Sequence, residues 1–255
     1  MRRIGTVLAT THRPALLDAC LSRLVDQRLP DGWEHRIYVA GTEEDHGVVV
    51  ATRHGVNWCT SRGWEVDPIT PVNPDWIGPK LKVTIEAALA DGCDPILWVG
   101  DDDMQPLDRV AETIAQHLAG ARMSAVKWYW YLDTATGTIT RWDGQHRWYG
   151  AGIAARAELW ARVRDWTIER AAEPWLYGQL WQHPCYVQPL PETCSTGLVC
   201  IQHGRNLTSR QFPAKGESTM VGLFDVTGEG NLVSDVPTGF PDPTWFRSLS
   251  ARLSG

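Results

Sequence analysis

The chain has 255 residues, of which 43% are apolar and 21% charged, with a formal net charge of −6. That length can bury a substantial core, as one large α/β domain or a domain with an extension, and the composition excludes wholesale disorder. The negative balance excludes binding nucleic acid through a broad basic surface, though not through a local basic groove. In chain order, RIGTVLAT (residues 3–10) reads as a buried strand ending in the polar turn Thr11-His12-Arg13-Pro14. Pro14 opens a helix, and PALLDACLSRLVDQ carries apolar residues at helical spacing. HRIYVA (35–40) predicts a second strand, GTEEDHG a loop, residues 48–63 a second helix and WEVDPIT (64–70) a short third strand. IGPKLKVTIEAALADG (77–92) predicts a helix stopped at Gly92, PILWVG (95–100) a fourth strand, and PLDRVAETIAQHLAG (106–120) the next helix.

Strands alternating with helices predict a doubly wound, mostly parallel α/β sheet flanked by helices. The pattern changes after residue 123. Residues 123–152 are aromatic and strand-rich with a hairpin turn at TATGT, whereas AELWARVRDW and ERAAEPWLYGQLWQH return to helical spacing. Residues 185–206 read as irregular or extended, and from 212 the chain turns Gly-, Pro- and Ser-rich. The expected organisation is a domain over 1–211, with halves 1–122 and 123–211, and a C-terminal extension over 212–255 that wraps the domain or closes on it. No internal repeat stands out.

Six cysteines lie scattered without a CxxC pair, which reads as free thiols in a reducing compartment. The N-terminus has no long apolar segment and no run reaches membrane-spanning length, so the expectation is a soluble, cytoplasmic protein. The sequon Asn206-Leu207-Thr208 then carries no weight.

The stretch ILWVGDDDMQP sets Asp101, Asp102 and Asp103 directly after a buried strand. Adjacent carboxylates near an apolar layer cost desolvation and repulsion unless a positive group sits beside them. The trio is therefore either a solvated acidic turn or the seat of a cation. Its place at the carboxyl end of a strand, where open α/β sheets bind ligands, favours the cation.

Three segments, spread over residues 3–210, resemble the nucleotide-diphospho-sugar transferases of the GT-A fold, particularly the family-2-like glycosyltransferases. They are VLATTHRPALLDACLSRLVDQ, ILWVGDDDMQP as strand, DxD and proline, and EPWLYGQLW as the acidic motif. The resemblance implies a GT-A-like, Rossmann-related fold and transfer of a sugar from a nucleotide-diphosphate donor, UDP-sugar favoured. It also implies a divalent ion, Mn2+ or Mg2+, that stabilises the departing nucleotide as a Lewis acid. By that resemblance Asp103 binds the metal, and Asp101 binds it through water or faces the ribose. Asp102 lies on the nucleotide side, and His203 is implied to complete the coordination, with a surface histidine in a glycine turn as its competing role.

Glu173 is implied as the general base of an inverting displacement, with helix capping as its competing role and Glu169 as the fallback. Thr10, Thr11, His12 and Arg13, with Lys80 or Lys82, are implied nucleotide contacts. Arg205 and Arg210 are candidates for the diphosphate, although loop arginines are ordinarily solvated. Where the family tends to carry an aspartate after the second strand, this chain has Ala40-Gly41-Thr42-Glu43, so Glu43 is the substitute considered.

Trp128, Tyr129, Trp130, Trp142, Trp148 and Tyr149 fall where such enzymes build the acceptor side, and WYGAG resembles a loop near the donor sugar. Most of these rings are expected in the core, with one or two on ligand. The acceptor is open: a saccharide, a protein, a small molecule or a modified DNA base as in phage-type enzymes. Oligomeric state is open as well. A catalytically inactive nucleotide-sugar-binding protein is the competing class. Phosphatases of the haloacid-dehalogenase type place their DxD after the first strand, and nucleotidyltransferases carry a Gly-rich basic signature that ATTHRPA lacks.

Overall fold

The structure, a computed structural model, describes residues 1–52, 56–60, 77–126, 128–133, 138–143, 152–164, 166, 187–189, 199–202 and 219–223. Strand β1 (Arg2–Ala9) is buried from Ile4 onward and lies between β2 (Trp33–Ala40) and β4 (Ile96–Trp98), parallel to both. A strand covered on both faces needs a near-continuous apolar run, and IGTVLA supplies one broken only by Thr6, whose hydroxyl shares a 2.8 Å hydrogen bond with the His35 ring. Strand β3 (Val56–Trp58) extends the sheet in parallel beside β2. Beyond β4 come β9 (Ala154–Ala155), antiparallel to its neighbours, then β6 (Met123–Ala125) and β10 (Val187–Pro189). The order of this seven-stranded sheet is β10-β6-β9-β4-β1-β2-β3.

Helices cover both faces. Helix α1 (Pro14–Val25) buries Leu16, Leu17, Cys20, Leu21 and Leu24 against Ile4, Leu8, Ile37 and Val39. Helix α3 (Ile77–Ala90) packs Leu81, Ile85 and Ala88 on the other face, with Val7, Ala9 and Tyr38. The alternation of Ile4 and Leu8 with Val7 and Ala9 follows the two-residue period of a strand. Gly92, at φ +71°, ends the α3 segment as the glycine there predicts.

A second sheet, ordered β12-β8-β7-β11-β5, was expected only in its central hairpin. It joins β5 (Asp103–Met104), β11 (Val199–Gln202), β7 (Trp128–Asp133), β8 (Thr138–Asp143) and β12 (Thr219–Leu223). Strands β7 and β8 pair antiparallel with Asp133 opposite Thr138, flanking the predicted turn. Strand β12 comes from the predicted extension and pairs antiparallel with β8. Trp130 is buried in the core.

Two expectations are corrected. Residues 48–63 are not one helix: α2 (Glu43–Thr52) starts inside the stretch read as a loop, and Val56–Trp58 is strand. The third strand is therefore β3, while residues 64–70 lie outside the described residues. The physical reason is an N-terminal box in which Thr42 precedes Asp45 by three, with the Asp45 carboxylate accepting the Thr42 amide. The AELWARVRDW helix is also shorter than its spacing suggests, with α5 spanning Ala157–Trp160.

Cys20, Cys59, Cys93 and Cys200 are free thiols. Among the described residues, no helix is long and apolar enough to cross a membrane.

His117, on α4 (Arg109–Leu118), is 1% exposed. Burial, with Arg156 beside it, lowers its pKa from the ordinary 6.5 to about 4. The unfolded chain therefore binds a proton between those values that the folded chain refuses, so stability is lost as pH falls through that window. Urea unfolding is expected to lose about 3 kcal/mol from this group between pH 7 and pH 4. A His117→Gln variant should lose correspondingly less over the same range.

Candidate active site

The turn after β1 and the turn after β4 meet at the carboxyl edge of the main sheet. Strand β4 ends at Trp98, Val99 still bonds to Val7 of β1, and the chain then turns through Gly100–Asp102 into β5. The acidic triplet is thus the step from one sheet to the other. Asp103 lies opposite Cys200 of β11, and the Ile201 amide donates to the Asp102 carbonyl at 2.9 Å.

Asp101 and Asp103 are each 1% exposed, whereas Asp102 is half-buried. The first and third side chains share burial, but the expected pairing of Asp101 with Asp103 as the metal-side residues is not what the geometry brings together: Asp102 and Asp103 meet beside Gly100, while Asp101 and Asp102 share Arg13. The triplet lies in a turn and the start of a strand, not along one strand.

A cation does sit beside the carboxylates, and it is Arg13. Its guanidinium meets Asp101 Oδ1 at 2.7 Å and Asp102 Oδ2 at 3.1 Å. The Thr10 hydroxyl donates to Asp101 Oδ2 at 2.6 Å. Burial pushes the Asp101 carboxyl up, to about 6, against the pull of Arg13 and Thr10. Burial alone would lower the Arg13 pKa, but Asp101, Asp102, Asp45 and Asp103 together raise it. The pair is therefore charged and tightly held.

Glycine at position 100 is required by packing. A Cβ there would meet Asp103 Oδ2 at 2.6 Å and Asp102 Oδ1 at 3.0 Å, so these two oxygens converge over the glycine. The Gly100 amide donates to Asp103 Oδ2 at 3.3 Å. Below the turn, the Cys20 thiol donates to the carbonyls of Gly100 and Asp103 at 3.6 and 3.7 Å. Burial and the three aspartates raise that thiol well above its ordinary pKa, so it stays a protonated donor.

Among the described residues, no group of three or more His, Cys, Asp or Glu side chains is arranged to hold a metal ion. The donor set that fits a hard divalent cation is the convergent oxygen pair of Asp102 and Asp103, a cradle that one methyl group would fill.

Lys80 is buried on α3 and points at the first turn, donating to the Thr10 carbonyl at 2.9 Å and the Thr11 hydroxyl at 2.7 Å. Lys82 instead pairs with Glu86 along the helix surface. Glu43 is exposed at the start of α2. Thr10, Thr11, Arg13, Lys80 and the acidic triplet are thus brought together. Glu173, His203, Arg205 and Arg210 lie outside the described residues, as do Glu169, Trp148 and Tyr149.

Sequence reasoning missed Asp45, which is fully buried at the start of α2 and bonded to the same turn. The Thr-x-x-Asp spacing of Thr42 and Asp45 was the available signal, since it marks a helix start and not a loop.

No protein-family model and no curated protein matches the sequence. Solved structures do resemble it. S. aureus TarS, residues 1–349 with UDP-GlcNAc, superposes with a TM-score of 0.58 at 12% identity over 84% of this chain and 62% of that one. Another S. aureus TarS structure gives 0.55 at 12% identity over 79% of this chain and 37% of that one. The mannosyltransferase PcManGT from Pyrobaculum calidifontis, with GDP-Man and Mn2+, gives 0.54 at 13% identity over 82% and 60%. This chain spans about two fifths to three fifths of the length of these structures. These similarities show the fold alone, and the chain has a GT-A-like α/β fold.

Proposed function

We propose that the protein is a metal-dependent glycosyltransferase that moves a sugar from a nucleotide-diphosphate donor, UDP-sugar favoured, to an acceptor hydroxyl. The observation that carries this reading is the meeting of Arg13 with Asp101 and Asp102 of the acidic triplet at the carboxyl edge of the sheet. A leaving nucleoside diphosphate concentrates negative charge, and groups fixed in advance around it lower the barrier more than groups that must reorganise. Neighbours of the same fold were solved with UDP-GlcNAc and with GDP-Man and Mn2+, which supports the donor class and the ion.

In this reading Asp103 and Asp102 hold Mn2+ or Mg2+, which when bound neutralises the diphosphate as a Lewis acid. Asp101 has its two oxygens engaged by Arg13 and Thr10, so it acts on the ion through water or orients Arg13. His203 follows directly on β11, the partner strand of β5, and is assigned as a further ligand. Arg205 and Arg210 are assigned to the phosphates, and Glu43 to the base or ribose. Lys80 supports the Thr10–Thr11 turn from within.

Glu173 is assigned as the base that takes the acceptor proton in a single displacement with inversion. Retention of the donor's anomeric configuration, read by NMR of the product, would refute that step.

A thermal-shift series with nucleotide sugars, with and without Mn2+, tests the reading. Ligand bound to the folded state raises Tm, by the equivalent of about 2.7 kcal/mol at a hundredfold excess over Kd. A Tm that rises with a UDP- or GDP-sugar and further with Mn2+ supports the proposal, and indifference to every nucleotide sugar overturns it. Gly100→Ala is expected to part the two convergent oxygens and weaken Mn2+-dependent UDP binding by roughly tenfold. Calorimetric titration with and without Mn2+ checks this.

A further inference from the structure

The turn after β1 is held by a carboxylate that belongs to neither the acidic triplet nor the expected nucleotide contacts. Asp45 Oδ1 accepts the Arg13 amide at 3.0 Å, and Oδ2 accepts the His12 amide at 3.1 Å. Oδ2 also takes the Thr42 amide at 3.0 Å and the Thr42 hydroxyl at 2.8 Å. One fully buried side chain therefore ties the turn after β1 to the turn after β2.

The turn needs such a tie. His12 has φ +51°, a left-handed conformation that a non-glycine residue holds only when its surroundings fix it. Successive amides in such a turn form a concavity for an anion, and here the anion is internal. Its charge also lies at the start of α1, whose first residue is Pro14 and where a carboxylate is favoured. Arg13, the residue before that helix, makes no side-chain cap and sends its guanidinium to Asp101 and Asp102 instead. Gly41 completes the arrangement. A Cβ at that position would meet Thr10 Cγ2 at 2.4 Å and Asp45 Oδ2 at 2.9 Å.

We infer that Asp45 is a positioning residue of the donor site. By holding the His12 and Arg13 amides it aims the Arg13 side chain at the acidic triplet, so that nucleotide binding depends on Asp45 although it acts only through Arg13. The inference deepens the donor-site reading above and rests on it for its ligand. It also removes the amides of His12 and Arg13 from the groups that grip phosphate, because Asp45 already takes them.

The test is a calorimetric titration of the full chain with UDP in Mn2+, run on the wild type, Asp45→Asn, Arg13→Gln and the double variant. Asparagine keeps the size of the side chain but turns one acceptor oxygen into a donor facing amides. Each single change is expected to weaken binding by roughly ten- to hundredfold, with the double no weaker than the worse single. Losses that multiply in the double variant, or an Asp45→Asn variant that binds UDP like the wild type, would overturn the inference. Gly41→Ala disturbs the same clamp from the other side and replaces Asp45→Asn if that variant fails to fold.

Urea unfolding of the same four proteins reads the coupling without nucleotide. Non-additive losses support the positioning role, and additive losses reject it. A wild type that binds neither UDP nor GDP while the unfolding cycle stays non-additive would sink the transferase reading alone.

Discussion

Asp103→Asn is expected to lower Mn2+-dependent donor turnover by roughly a hundred- to thousandfold, the scale on which a lost fixed charge stabiliser acts at a reacting centre. The asparagine oxygen can still accept the Gly100 amide that Asp103 Oδ2 accepts, so the turn should persist and the protein should stay folded. What goes is one carboxylate oxygen of a side chain that is 1% exposed. Asp102→Asn should cost less. Asp102 is half-buried and shares Arg13 with Asp101, which makes the shorter contact. Release of UDP from a UDP-sugar, with and without Mn2+, measures both. Equal losses, or a larger loss at Asp102, would contradict the assigned roles.

Arg13→Gln is expected to destabilise the fold by about 3 kcal/mol at pH 7, because it leaves the buried Asp101 without its counter-charge. The guanidinium is 15% exposed and the Asp101 carboxylate 2%, so water cannot replace the lost partner. Asp101→Asn added to Arg13→Gln should restore most of the loss, since no charge then remains buried. The sign of the pH effect follows. Asp101 already sits high, at about 6 against an ordinary 3.8, and without Arg13 the folded form favours the proton further. Between those values the folded state binds more protons than the unfolded one, so the variant should lose less stability, relative to the wild type, as pH falls. Urea midpoints at pH 7 and pH 5 decide it.

Much of the frame was legible because it is written in local pattern. The continuous apolar run of β1, the Pro14 start of α1, the spacing of Leu81, Ile85 and Ala88, and the stop at Gly92 each report on neighbours in sequence. The region from Gly41 to Trp58 was misread for equally local reasons. An acidic run looks like a solvated loop, and three valines followed by a three-residue edge strand look like one apolar segment. Of the second sheet, the β7–β8 hairpin was legible at its turn, but its joining with β5, β11 and β12 was not, since those strands pair across long stretches of chain, as Asp103 does with Cys200.

The site divided in the same way. Three adjacent acids after a buried strand demanded a positive neighbour, and that demand could be read from the sequence. Its answer could not. Arg13 and Asp101 lie 88 positions apart, and the carboxylate that fixes Arg13 belongs to a helix start between them. The family resemblance implied Thr10, Arg13 and either Lys80 or Lys82 as nucleotide contacts. The fold gives each an internal partner as well, which is how a site is held ready before the ligand arrives.

The central claim is that Asp103 and its neighbours anchor a divalent ion against a departing diphosphate. Crystals soaked with UDP and Mn2+ test this through the anomalous signal of manganese. The account predicts a manganese peak at the Asp103 carboxylate, with UDP bound at the same edge of the sheet. A nucleotide bound elsewhere on the chain, or phosphates at this edge with no manganese on Asp103, would contradict it.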